Sequence, residues 1–143
     1  MNKILIMGQS GSGKTTFTEK LVNEFHSRNI GTAWLNADDV RAHYNDWDFS
    51  VGGRIRAAER MNELAQDLDW EFVFIDMICP TMKTRLALDP DFIILMDTVK
   101  DGPYEDTNQI FDKPDCSVVD VCFNSYPEIE EVEEVADKIL NWF

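Results

Sequence analysis

The run Gly8-Gln-Ser-Gly-Ser-Gly-Lys-Thr15 constrains this chain more than any other feature. It satisfies G-x-x-x-x-G-K-[ST] at every position. Before it stands a continuous apolar run, Lys3 to Met7, which reads as a strand buried on both faces. After it, Phe17, Leu21, Val22 and Phe25 recur at helical spacing, so a helix is predicted from Lys14 to Arg28. Glycines in such a loop let successive N–H groups point at one centre, and the positive end of the following helix adds to the field there. That is a cradle for phosphates. Gly8, Ser10, Gly11, Ser12, Gly13, Lys14, Thr15 and Thr16 are its expected lining. Lys14 is expected to reach the β- and γ-phosphates of ATP, and the Thr15 hydroxyl to ligate Mg²⁺.

The rest of the chain repeats the alternation. Strands are predicted at Thr32–Leu35, Glu71–Ile75, Phe92–Met96 and Ser117–Cys122. Helices are predicted at Asp39–Tyr44, Val51–Leu68, Thr81–Leu88 and Pro127–Phe143. Val99 to Pro114 carries Gly, Pro, Asp and Asn without a period and reads as a long loop of the kind that forms lids. Strands alternating with helices mean βαβ units. The expected fold is α/β: a three-layer P-loop kinase fold, five parallel strands with helices on both faces, in a single domain over residues 1–143.

Charge narrows the partners. With 27 acidic and 13 basic residues the net charge is −14, a field that repels nucleic-acid backbones and anionic membranes. Neither partner is expected. No apolar run approaches a membrane span, and the three cysteines lack metal-ligand spacing and suggest no disulfide framework. A reducing cytoplasm is the expected compartment.

Carboxylates stand where such a fold collects ligands, at the carboxyl ends of its strands. Asp38 and Asp39 follow the second strand. Asp39 reads as a helix N-cap. Asp38 reads as a carboxylate that orients Mg²⁺ and accepts the proton of an attacking hydroxyl. Asp76 ends the apolar run Phe72–Ile75, which is Walker B placement near the metal; a surface turn residue is the alternative reading.

From Leu35-Asn-Ala-Asp-Asp-Val-Arg41 onward the sequence resembles the adenylylsulfate kinases. That family follows its phosphate loop with a segment similar to L-D-G-D-N-V-R-x-x-L-N, then G-F-S, D-R and I-S-P. Here stand Asp38 and Arg41, then Asn45, Asp48-Phe49-Ser50, Gly53-Arg54 and Ile78-Cys79-Pro80, with one extra residue around Trp47. The resemblance spans roughly residues 3 to 97, and its compactness resembles a phage-encoded version. It implies transfer of the γ-phosphoryl of ATP to the 3′-hydroxyl of adenylyl sulfate, a step of sulfate assimilation. Asp38 would then serve Mg²⁺ and the acceptor hydroxyl. Arg41 and Arg54 would bind the acceptor's phosphosulfate, with Asn45 beside them. Phe49 would stack on its adenine, and the backbone at Ile78 would line the pocket. Members of the family often form homodimers.

The sequence also departs from the pattern. Asn36 replaces the first carboxylate after the second strand, Gly53 the aspartate of D-R, Ala57 an asparagine and Cys79 a serine. No basic lid similar to R-D-x-K-G-L-Y is recognisable; Lys100 to Lys113 is poor in cations. The sequence does not fix which loop holds the ATP adenine; Arg85 and the segment near Asn124 are candidates by position only. Two alternatives stand beside the leading one: a small kinase for another hydroxyl acceptor (nucleoside, nucleotide, sugar or hydroxymethylated base), or an ATP-binding regulator without turnover.

Overall fold

The computed structural model describes residues 1–143. Five strands form one parallel sheet: β1 (Asn2–Met7), β2 (Thr32–Asn36), β3 (Phe72–Asp76), β4 (Phe92–Met96) and β5 (Val121–Phe123), in the order β2-β3-β1-β4-β5. Six α-helices accompany it: α1 (Lys14–Ser27), α2 (Ala37–Tyr44), α3 (Val51–Leu68), α4 (Met82–Leu88), α5 (Glu105–Ile110) and α6 (Ile129–Trp142).

Side-chain alternation along β1 explains the layers. Ile4 and Ile6 belong to one core and Leu5 and Met7 to the other, and all four are fully buried. The first core lies under α1 and α6, where the Phe25 ring meets Phe72 and Phe74 edge-on at 5.3 and 5.1 Å. Truncating such a buried ring costs about 3–5 kcal/mol. The second core lies under α3 and α4 and holds Ala57, Ala58, Met61, Ala65 and Leu88. Small residues along α3 let it lie close to the sheet.

Three expectations are corrected at the edges. Residues 117–122 are not one strand. Asp115 caps a 3₁₀ turn (Cys116–Val118) by accepting from the Ser117 N–H, and Asp120 exchanges hydrogen bonds with Ile93, so β5 begins only at Val121. That turn brings Cys116 and Cys122 to a Cα separation of 5.5 Å, and the two are joined as a disulfide; Cys79 alone is free. The expected loop from Val99 to Pro114 contains α5, whose six residues are too few to show a helical period.

All five strands point the same way, so their carboxyl ends share one edge. The phosphate loop leaves β1 there, flanked by Asn36 from β2 and Asp76 from β3.

Candidate active site

The phosphate loop is held by close contacts on both flanks. Gly8 leaves β1 against its neighbour β4: a Cβ there would lie 2.6 Å from the Met96 carbonyl oxygen. Gly13 is the N-cap of α1 at φ 93, left-handed, and a Cβ would lie 2.7 Å from the Tyr126 ring. Glycine relieves both constraints. No side chain caps α1, so its first-turn N–H groups are left for an anion. The Thr98 hydroxyl donates to the Ser12 carbonyl at 2.6 Å and ties the loop to the end of β4.

Lys14 donates from Nζ to the Gln9 carbonyl at 3.0 Å, folded back over its own loop. Burial pulls its pKa below the usual lysine value, opposed by the charges of Asp76 and Asp38. The Thr15 hydroxyl donates to Asp76 Oδ2 at 2.6 Å, and the Asn36 amide donates to the same oxygen at 2.9 Å. Asp76 is 2 % exposed, and burial raises its pKa despite these donors and Lys14.

Asn36 also corrects the expected cap. Its Oδ1 accepts from the Asp39 N–H at 3.0 Å, so Asn36 is the N-cap of α2, and Asp38 and Asp39 both lie in the first turn. Asp38 is exposed at the cavity that also holds Ser10, Lys14, Thr15, Asn36 and Asp76.

The far wall of that cavity is built from Arg41, Phe49, Arg54 and Ile78. Arg41 and Arg54 are each 5 % exposed. Arg41 Nη1 donates to the carbonyls of Asp46 and Asp48, at 3.0 and 3.2 Å, and its guanidinium carbon lies 4.3 Å from the centre of the Phe49 ring. Arg54 Nε donates to the Phe49 carbonyl at 2.9 Å, and its guanidinium lies 5.3 Å from the same ring. The two arginines thus fix both the loop carrying Phe49 and its ring. Burial lowers the pKa of each guanidinium, a desolvation that an incoming anion relieves. Phe49 keeps 43 % exposure, and with Trp47, Tyr104 and Ile78 it lines a second, adjoining cavity of ≈ 370 Å³.

Several residues fall elsewhere. Asn45 ends α2 in a left-handed conformation at φ 50 and lines neither cavity; its asparagine answers the backbone. Arg56 and Arg60 converge on Asp46, and Asp46 is held well below the usual carboxylate range by hydrogen bonds from Arg56 and then Arg60. Arg85 is buried in α4, donating to the carbonyls of Cys79 and Asp112 at 3.0 and 2.8 Å, which places it outside both cavities. It braces Cys79, itself in a left-handed conformation at φ 51 with its thiol pushed up to about 11 by burial. The segment near Asn124 does reach the phosphate loop, through Tyr126 beside Gly13.

Residues without a sequence signal join the site from α5. Thr107, 3 % exposed, accepts from Arg54 Nη2 at 3.0 Å, and Asp106 Oδ2 lies 3.5 Å from the same nitrogen. Gly53 also finds its reason. A Cβ there would lie 2.3 Å from the Asp48 carbonyl oxygen and 2.4 Å from its carboxyl carbon, so the loop before α3 occupies the space a side chain would need.

A family model described as adenylylsulphate kinase matches residues 2–89, which include the phosphate loop, both arginines, Phe49 and Ile78. The chain belongs to the adenylylsulphate kinase family. It is a P-loop kinase. Comparison with curated proteins by sequence gives no significant match. Among solved structures, the APS kinase of Mycobacterium tuberculosis in complex with AMPPNP and APS is 18% identical, covering 98% of this chain and 95% of that one at a TM-score of 0.72. A sugar kinase from Janibacter sp. HTCC2649 is 16% identical over 99% of this chain and 95% of that one, TM-score 0.66. Shikimate kinase from Acinetobacter baumannii is also 16% identical, over 99% and 92%, TM-score 0.56. At these identities the likeness is one of fold. No helix is long and apolar enough to cross a membrane.

Proposed function

We propose that this kinase transfers the γ-phosphoryl of ATP to the 3′-hydroxyl of adenylyl sulfate. The observation that carries the reading is one continuous cavity system. Lys14, Thr15, Asp38 and Asp76 stand on its donor side, and Arg41, Phe49, Arg54 and Ile78 on its acceptor side.

The loop from Gly8 to Thr16 holds the phosphates through its N–H groups and Lys14. Thr15, Asp76 and Asp38 offer hard oxygen donors suited to Mg²⁺, which commonly takes one or two carboxylates and the substrate's own phosphates. Asp76 fits that role: both its protein donors use Oδ2, and a buried carboxylate with a raised pKa calls for a cation. When bound, Mg²⁺ neutralises charge across the β- and γ-phosphates. Asp38, exposed to both cavities, accepts the proton of the attacking hydroxyl. Arg41 and Arg54 take the acceptor's anionic end, since forked guanidinium groups match phosphate and sulfate oxygens. The exposed part of Phe49 stacks on the acceptor base.

The test is direct: purified protein, ATP, Mg²⁺ and adenylyl sulfate, with 3′-phosphorylated product measured by chromatography. Product is expected from the wild type and at least ~100-fold less from Asp38→Asn. No product above the Asp38→Asn level ends the reading.

One observation favours a second reading. Helix α5, which meets Arg54 through Asp106 and Thr107, carries no cation and brings a carboxylate to the cavity wall. An uncharged hydroxyl acceptor, a nucleoside or sugar, suits such a wall better than a doubly charged one. Thermal stabilisation by adenosine or a sugar, with none by adenylyl sulfate, would select it.

A further inference from the structure

The contact between α5 and Arg54 changes what the acceptor site can distinguish. Arg54 is as buried as Arg41, and it is the one cation that lines both cavities. Three of its contacts are internal: Nε to the Phe49 carbonyl, Nη2 to Thr107 Oγ1 and Nη2 to Asp106 Oδ2. Nη1 has no protein acceptor and is not sealed from the cavity. The guanidinium therefore presents one edge to a ligand and spends another on a carboxylate of its own chain.

That carboxylate is unlike the other partners. Thr107 and the Phe49 carbonyl are neutral and hold Arg54 in place. Asp106 is charged, its side chain is 68% exposed, and at 3.5 Å it stands at the limit of a hydrogen bond. It adds little to folding, as exposed ion pairs generally do. It does subtract positive potential at the one place where an acceptor anion would arrive. Asp38 lines the same ≈ 370 Å³ cavity, so that cavity holds two carboxylates and a single arginine.

We infer that Asp106 is a specificity-determining residue of the acceptor site. It competes with the acceptor's anionic group for the Arg54 guanidinium, so that only an anion bonding Nη1 while tolerating Asp106 is accepted. The inference rests on the reading of this cavity as the acceptor site. It assigns Asp106 no part in the chemistry: the residue touches Arg54 and acts on acceptor binding through it.

Binding of adenylyl sulfate and of adenosine is to be measured by calorimetry in wild type, Asp106→Asn, Asp106→Glu and Glu105→Gln, with folding checked by thermal melts. Glu105 neighbours Asp106 on α5 and lines neither cavity, so it reports the general field. Asp106→Asn is expected to tighten adenylyl sulfate about three- to tenfold and leave adenosine unchanged, while Asp106→Glu and Glu105→Gln stay within about twofold of wild type. The same tightening in Glu105→Gln, the same tightening for adenosine, or no tightening at all overturns the inference. If no form of the protein binds adenylyl sulfate, the acceptor reading falls and the inference with it. Wild-type binding without an Asp106 effect removes the inference alone.

Discussion

The hydroxyl of Thr15, an exposed residue in the first turn of α1, donates to the buried Asp76 carboxylate at the end of β3 at 2.6 Å. Without a cation Asp76 is costly. Burial raises its pKa above that of the unfolded chain, so the native state holds the proton more tightly there. Stability from this group therefore falls as pH rises from the ordinary carboxyl value through the raised native one. Asp76→Asn removes that cost. Its expected result is a higher melting temperature for the nucleotide-free protein at pH 7, by about 2–4 °C if ~1 kcal/mol is recovered. The gain should shrink as pH drops toward the carboxyl range, and phosphotransfer should fall at least ~100-fold. Differential scanning fluorimetry from pH 4 to 8, beside a kinase assay, reads both; a melting temperature that drops at pH 7 contradicts the argument.

Two neighbouring glycines at the start of α3 make opposite predictions. A Cβ on Gly52 meets nothing within 4 Å, whereas one on Gly53 would collide with Asp48. Gly52→Ala is expected to stabilise by about 0.5–1 kcal/mol, because alanine loses less entropy in a helix. Gly53→Ala must push the Asp46–Phe49 segment away. It is expected to destabilise by about 1–3 kcal/mol and to raise the acceptor KM, since that segment carries Phe49. Urea melts of both variants decide; equal effects would show that the contact with Asp48 relaxes freely.

Arg41 anchors the same segment from the other side. Lysine in its place keeps a charge and gives up two bonds from Nη1 and the stack on Phe49. Arg41→Lys is expected to raise the KM for adenylyl sulfate about tenfold or more, with a smaller change in kcat and none in the KM for ATP. An equal rise in both KM values would place Arg41 on the donor side instead.

These cases separate what the sequence makes legible from what it hides. Gly8 to Thr15 and the runs at Lys3–Met7 and Phe72–Ile75 are local patterns, and local patterns fix the sheet and the place of the phosphate site. Arg41, Phe49 and Arg54 could be placed because they lie within one short segment of one motif. The partners of Arg54 on α5 could not: they are 52 and 53 residues away, on a helix of six residues. In the sequence Asn45 reads as an acceptor-site residue, through the resemblance, and Asp39 as a helix cap. Only the backbone geometry shows that Asn45 ends α2 and that Asn36, not Asp39, begins it. Cys116 and Cys122 pair because a 3₁₀ turn folds the chain between them, and no spacing rule announces such a turn.

Asn36 gives the last prediction, because it does two jobs with one amide. Its Oδ1 caps α2 through the Asp39 N–H, and its Nδ2 donates to Asp76 Oδ2 at 2.9 Å. Aspartate would keep the cap, since either oxygen accepts. It would also turn a donor into a second carboxylate against a buried one. Like charges so close disfavour ionising both, so the native pair would hold a proton to higher pH than the unfolded chain does. Stability should then fall as pH rises through that range. Asn36→Asp is therefore expected to melt several degrees below the wild type at pH 7.5 without metal and closer to it near pH 5. Mg²⁺ with AMPPNP should restore more stability to this variant than to the wild type, because the cation neutralises the added charge. Melting curves with and without Mg²⁺ at both pH values are the measurement. A variant that stays depressed at pH 5, or that gains nothing extra from Mg²⁺, would place the fault in the cap and clear the carboxylate pair.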